Sequence, residues 1–319
     1  MHKRILVTGG AGFIRSAFIR YGLRKIPWLK KIVNLDLLTY ASNEKNCASS
    51  ADDPRYVFVN GNILNQALVQ NICEQHRIEA ILHSAAETHV DRSIEQSEPF
   101  IETNVKGTFA LLEVVRRLPE IHFHHVSTDE VYGSKQKDRF HETSLYQPNS
   151  PYAASKAASD HLVRAWNQTY GLLTTLSHCS NNYGPYQHPE KSIPHMLSKL
   201  LKNLPLPIYG KGINMRNWLY VDDHAEALWT ILERGKRGTL YNIGGNIDLL
   251  HLLIEKFALK TQKNPQALRS LIQFVPDRLG HDLRYSIDCS KIKNELGWIE
   301  RHSFEEGLDH TISWYLENL

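Results

Sequence analysis

Near its start the chain reads Arg4-Ile5-Leu6-Val7 and then Thr8-Gly9-Gly10-Ala11-Gly12-Phe13-Ile14-Arg15, followed by a helical pattern. A short apolar run, a glycine-rich turn and a helix in that order leave few folds open. Glycines in the turn let backbone N–H groups come close to a pyrophosphate, and the helix presents its positive end to the same anion. Gly9 and Gly12 fill those places. Asp36 closes the second apolar run, Lys31 to Asp36, where a carboxylate can bond the ribose hydroxyls of a dinucleotide and repel the extra phosphate of NADP. The cofactor expected from these residues is NAD.

The same strand-then-helix grammar continues through Arg55–Val59, Ala80–His83 and His122–Ser127. It predicts an α/β fold, a Rossmann-type doubly wound parallel sheet with ligands at the carboxyl ends of its strands. From about Asn181 the chain is punctuated by Pro and Gly, which suggests a smaller C-terminal substrate-binding lobe. The expected division is residues 1–180 for the dinucleotide domain and 181–319 mainly for the lobe. About 217–245 returns to the first domain, with a helix over Val221–Gly235 and a strand over Leu240–Ile243. Ser303 followed by Glu306 marks a capped C-terminal helix.

Composition narrows the functional classes. With 37 basic and 34 acidic residues the net charge is +3, which gives no reason to expect a nucleic-acid or membrane partner. No apolar run approaches the roughly 20 residues that cross a bilayer, and the N-terminal apolar run is too short for a signal peptide, so a cytoplasmic protein is expected. Cys47, Cys73, Cys179 and Cys289 have no metal-site or disulfide spacing; reduced thiols and no metal are expected.

Two further segments carry chemistry. Tyr152 and Lys156 lie four apart at the head of a helical pattern, hence on one face, where an ammonium would lower the proton affinity of the phenol. After the fifth strand the chain reads Ser127-Thr128-Asp129-Glu130-Val131-Tyr132-Gly133. Two consecutive acids at the ligand edge of a sheet suggest an acid and a base with different pKa values.

TGGAGF, LDLLTYA, HSAAETHVDRS, STDEVYG, YAASK, SNNYGPYQHPEKSIP, NWLYVDDH, YNIGG and DRLGHDLRYSID occur in that order over nearly the whole chain. The sequence resembles the dTDP-glucose 4,6-dehydratases of the extended short-chain dehydrogenase/reductase superfamily. The resemblance implies a hydro-lyase acting on a dTDP-hexose with NAD, as a homodimer joined through helices. It implies catalysis by Tyr152, Lys156 and Thr128 at carbon 4, and by Glu130 as base and Asp129 as acid across carbons 5 and 6. Cofactor positions fall on Phe13, Ile14, Asp36, Leu37, Thr39, Asn62, Ile63, Ala85, Ala86, Thr103 and Asn181, besides Gly9, Gly12, Tyr152 and Lys156. Substrate positions fall on Thr88, Thr128, Asn182, Lys191, Ser192, Pro207, Tyr209, Arg216, His251 and His281, with Arg216 suited to a diphosphate. An epimerase of the superfamily, or a relative without activity, would share the fold; the paired acids argue against the first, and retention of all five chemical residues against the second.

The chain departs from the family at a few positions. Arg15 stands where a third glycine lets the helix pack on the first strand, so its side chain is expected either to splay into solvent or to tilt the helix; a positive charge beside the pyrophosphate would favour binding, but strain in the packing is expected to outweigh it and weaken NAD binding. Leu37 replaces a lysine, Asn62 an aspartate facing the adenine, His178 an arginine, Asn217 an aspartate and His251 an asparagine. Binding at both anion sites is expected to be altered by these changes, the chemistry not.

Overall fold

The structure is a computed structural model describing residues 1–318 apart from 136, 213, 246–249, 278–281 and 283, and only the backbone of 250 and 251. Its strands in chain order are β1 (Arg4–Thr8), β2 (Lys31–Asp36), β3 (Tyr56–Asn60), β4 (Ala80–His83), β5 (His122–Thr128), β6 (Thr174–Cys179), β7 (Asn181–Tyr183), β8 (Leu206–Tyr209), β9 (Trp218–Tyr220), β10 (Thr239–Ile243) and β11 (Ile272–Val275). Seven form one parallel sheet in the order β3-β2-β1-β4-β5-β6-β10, so the fold is the doubly wound α/β one. The winding reverses between β1 and β4, and a crevice opens there at the carboxyl edge. β5 is buried along its whole length, the consequence of helices on both faces of a parallel sheet.

One core lies on the side of helices Phe13–Lys25 and Val221–Arg234, which meet through stacked Phe18 and Trp229 rings 4.5 Å apart. Gly22 makes that approach possible, because a Cβ there would lie 2.3 Å from the Trp229 ring. On the other side, helices Gln66–His76, Gly107–Arg117 and Pro151–Tyr170 cover the sheet. A third cluster, from Tyr183, Ile193, Leu197, Trp218, Phe257 and Leu308 among others, fills the C-terminal part, where β7 pairs with β9 and β8 with β11. Residues Ile287 to Trp298 pack on the first core beside β10, a return that the sequence pattern does not announce. The last helix, Phe304–Asn318, begins with a reciprocal capping box: Glu306 N–H donates to Ser303 Oγ at 3.2 Å, and Ser303 N–H to Glu306 Oε2 at 2.9 Å.

Among the described residues no helix is long and apolar enough to cross a membrane, and no cluster of His, Cys, Asp and Glu could hold a metal ion. All four cysteines are buried and unpaired.

Candidate active site

One pocket runs along the carboxyl ends of β1, β2, β4, β5 and β6. Gly9 leaves β1 with φ +73°, and a Cβ there would lie 2.8 Å from Ala85 Cα, so only glycine lets the turn nest against the end of β4. Gly12 caps helix Phe13–Lys25 with an extended backbone. The carboxylate of Asp36 accepts from the N–H groups of Ala11 (2.9 Å) and Leu38 (2.7 Å) and from Ser42 Oγ (2.9 Å), which braces both loops at the pocket's edge. Every position assigned to the cofactor by resemblance lines this pocket: Gly9, Gly12, Phe13, Ile14, Asp36, Leu37, Thr39, Asn62, Ile63, Ala85, Ala86, Thr103, Tyr152, Lys156 and Asn181. Asn62 uses its Oδ1 on the Leu64 N–H at 2.9 Å, so the group left for a ligand is mainly its amide NH2.

Thr128, Asp129 and Glu130 reach the same pocket from the end of β5. Thr128 Oγ1 accepts from Glu130 N–H at 3.2 Å and starts the tight turn Asp129–Tyr132. Asp129 is 2 % exposed, and its Oδ2 has no hydrogen-bond partner among the described residues. Burial, then the charge of Glu130, pushes the Asp129 carboxyl well above the usual carboxylate range, so it holds a proton where ordinary acids have lost theirs.

Helix Pro151–Tyr170 starts where Ser150 Oγ accepts from Ala153 N–H at 3.1 Å with Pro at the first turn, which sets Tyr152 at the helix's head against the pocket. A π-type turn at Ile101–Lys106 brings in Asn104, whose side chain bonds both the N–H and the C=O of Glu87 and donates to Ser155 Oγ at 2.8 Å. Lys156 lines the pocket from the same helix. Its ammonium donates to Val126 O at 2.9 Å and lies 3.3 Å from His125 Nε2, on β5. The phenol of Tyr152 is pushed well up by burial and by Glu130; a hydrogen bond with Thr128 and the charge of Arg15 act in the lowering direction. Burial brings Lys156 down to about 8, while Asp160, one turn on, holds it up. Asp160 is itself kept ionised, its oxygens meeting Ser127 Oγ at 3.0 Å, His178 Nε2 at 2.9 Å and His125 Nε2 at 3.4 Å.

The substrate positions divide. Thr88, Asn182 and Lys191 line the pocket, and Lys191 Nζ donates to Thr88 O at 3.2 Å. Ser192 begins helix Ser192–Leu201 just beyond it, and Pro207 and Tyr209 sit in β8 away from the lining. Arg216 donates to Asp282 O at 2.7 Å and covers the Tyr285 ring at 4.2 Å; its charge reaches Asp129, acting to lower that pKa. His281 lies outside the described residues, and His251 is described only as backbone of helix Leu250–Thr261. Glu87, His188 and Glu190 line the pocket without having been singled out, although Glu87 and Glu190 stand inside the ETHVDRS and PEK segments.

Two departures require correction. His178 does not face an anion site: it is fully buried in β6 and bonded to Asp160 and to Tyr146. Arg15 does not splay into solvent. Its side chain crosses the pocket floor, where Nε donates to Ser84 Oγ at 2.8 Å and Nη2 donates to Ser84 O.

A glycine turn at the head of a parallel sheet, a Tyr-Lys pair and paired acids in one crevice define a dinucleotide-binding protein of the extended short-chain dehydrogenase/reductase class. Comparison with known proteins is narrower. Residues 6–311 match the family described as GDP-mannose 4,6 dehydratase. The chain is 48% identical to the dTDP-glucose 4,6-dehydratase of Neisseria meningitidis, covering 99% of this chain and 94% of the relative. Against the Escherichia coli K12 dTDP-glucose 4,6-dehydratase 1 the identity is 46%, over 99% of this chain and 93% of the relative. The crystal structure of the Streptomyces venezuelae dTDP-glucose 4,6-dehydratase DesIV with NAD and TYD bound superposes with a TM-score of 0.92 at 45% identity, covering 99% and 97% of the two chains. The chain belongs to the dTDP-glucose 4,6-dehydratase family.

Proposed function

We propose that this protein is a hydro-lyase that converts dTDP-glucose to dTDP-4-keto-6-deoxyglucose with NAD. The observation that carries the reading is Asp129, a buried, proton-holding acid with an unpartnered oxygen, next to Glu130 and in the same pocket as Tyr152 and the glycine turn. The pocket fits the cofactor: Gly9 and Gly12 open the turn, the helix after Gly12 offers its positive end, and Asp36 stands at the end of β2. When bound, the dinucleotide supplies the hydride acceptor for carbon 4 and the hydride returned to carbon 6.

The chain's own groups move the protons. Tyr152, with Thr128 bonded to it, takes the proton of the carbon-4 hydroxyl as phenolate, a form that burial and Glu130 disfavour and that Thr128, Arg15 and the positive charge bound NAD would bring act to favour. Lys156 supplies a buried positive charge whose persistence depends on Asp160. A ketone at carbon 4 acidifies carbon 5, from which Glu130 removes the proton. Asp129 gives its proton to the departing hydroxyl of carbon 6, so water leaves, and Glu130 returns a proton to carbon 5. Arg216, Lys191, Thr88 and Asn182 hold the nucleotide sugar, with residues 181–319 as its principal lobe.

The protein acts in the cytoplasm as a homodimer. Its unpaired, buried cysteines support the first statement, and an outward aromatic row supports the second: Phe109, Trp166 and Tyr170 lie edge to face on helices Gly107–Arg117 and Pro151–Tyr170, with Phe109 and Tyr170 more than two-fifths exposed. Incubation with dTDP-glucose and NAD should yield a 4-keto-6-deoxy sugar, read by mass loss of one water and by alkaline absorbance. Recovery of unchanged dTDP-glucose would refute the assignment.

A further inference from the structure

Arg15 is half-buried in the lining of the pocket, and loss of water around it is the first cause of its lowered pKa. Nε and Nη2 are held by Ser84 at the end of β4. Nη1 stands over the glycine turn, 3.1 Å from where a Cβ of Gly12 would be, and makes no hydrogen bond among the described residues. No carboxylate forms an ion pair with it there either; burial lowers its pKa, and Asp36 and Glu87 act on it only at a distance. A cation withdrawn from part of its water and paired with no carboxylate gains from an anion that reaches it. Here it lies beside the turn and helix end that are themselves suited to a diphosphate.

We infer that Arg15 is a direct ligand of the cofactor's pyrophosphate, so that this chain binds its dinucleotide with a charged fork where a glycine would contribute only backbone. The inference rests on the reading of the pocket as an NAD site. Ser84 fixes the fork on the pocket floor, and a charge-assisted contact from Nη1 adds to the backbone N–H groups at Gly12. The side chain therefore strengthens cofactor binding, contrary to the weakening expected from lost helix packing.

Calorimetric titration of the parent, Arg15→Met, Arg15→Lys and Arg15→Gly with NAD and with ADP-ribose tests this, with adenosine measured by competition. In Arg15→Met and Arg15→Gly the affinity for NAD and for ADP-ribose should fall about 10- to 100-fold, the range of one charge-assisted contact. Adenosine, which has no phosphate, should bind all forms alike, which also shows that the variants are folded, and Arg15→Lys should recover part of the loss. Titration with dTDP separates the substrate's diphosphate from the cofactor's: its affinity should not change. Equal or tighter NAD binding by Arg15→Met or Arg15→Gly, a parallel loss for adenosine, or a loss confined to dTDP would overturn the role of Arg15. A parent protein that binds neither NAD nor ADP-ribose would instead overturn the NAD reading itself.

Discussion

Acidification should unfold this protein through its interior histidines. His83, His122, His124, His125 and His224 are all buried on or near the central strands, and burial lowers the pKa of each. His122 and His125 fall to about 4 and His224 to about 3, against 6.5 in an unfolded chain. Between these limits the unfolded state binds protons that the folded state refuses, so stability falls as pH drops below about 6.5; the contributions of His122 and His125 level off near about 4, while those of His224, His83 and His124 go on below it. At about pH 5 each of the three contributes roughly 2 kcal/mol of destabilisation, roughly 6 kcal/mol together, and His83 and His124 act in the same direction. Asp129 works the other way, since its raised carboxyl takes up a proton before the unfolded chain does, and the less buried Glu87, Glu233 and Glu300 act with it more weakly. A loss of that size consumes much of the roughly 5–15 kcal/mol that holds a domain folded. The assay is urea unfolding at pH 7 and at about pH 5, with the pH dependence of the extrapolated free energy giving the protons taken up. Roughly three or more protons are expected. Free energies agreeing within about 1 kcal/mol at the two pH values would show that these rings are protonated, or hydrated, in the native state.

The site makes three further predictions. Tyr152→Phe should lose the first oxidation by the ~100- to 10,000-fold that a positioned acid–base group supplies, with neither product nor reduced dinucleotide in a stopped-flow trace; turnover at the parent rate would make this helix mere scaffold. Glu130→Gln should bind substrate and accumulate enzyme-bound reduced dinucleotide without losing water, and normal product formation by it would remove Glu130 as the base. Asp160→Asn should shift the alkaline limb of the kcat/KM profile to lower pH: Lys156 sits at about 8 through burial, Asp160 raises it, and Arg15 acts to lower it, so loss of Asp160 discharges the ammonium earlier. An unmoved limb would show that Lys156 does not depend on Asp160.

Local patterns carried much of this architecture into the sequence. Strand β2 and its terminal Asp36, the helix from Pro151 and the Ser303–Glu306 box each depend on residues within a few positions of one another, and each is present where the pattern places it. Contacts between distant segments were not legible in this way. Arg15 meets Ser84 across the sheet's switch point, and only the closed βαβ unit shows that a pocket floor, not solvent, receives the side chain. The spacing of Tyr152 and Lys156 fixes a common helix face but not what stands opposite. That surface is β5, whose Val126 carbonyl and His125 ring draw the ammonium. His178 had the look of a changed ligand because its neighbours in sequence line the pocket, yet strand alternation turns it inward to Asp160.

The two acids after β5 show how backbone position divides labour between groups of the same chemistry. Adjacent carboxylates confined near one another cannot both ionise freely, so the environment decides which retains its proton. Asp129 is the first residue of the turn, 2 % exposed and enclosed by the strand ends, whereas Glu130 is only half-buried and faces the pocket. Burial selects Asp129 as the proton holder, and the charge of Glu130 reinforces that choice while Arg216 works against it. Arg216 is in turn anchored on the Asp282 carbonyl and the Tyr285 ring, so the protonation of Asp129 depends on how that wall is placed. An elimination that needs a donor at one carbon and an acceptor at the next is therefore matched by two consecutive side chains whose difference is one of burial. It follows that a substitution of Tyr285, whose ring lies under Arg216 and whose hydroxyl feels the charge of Glu130, acts on the proposed chemistry through the cation that opposes proton retention at Asp129 and through Glu130 itself.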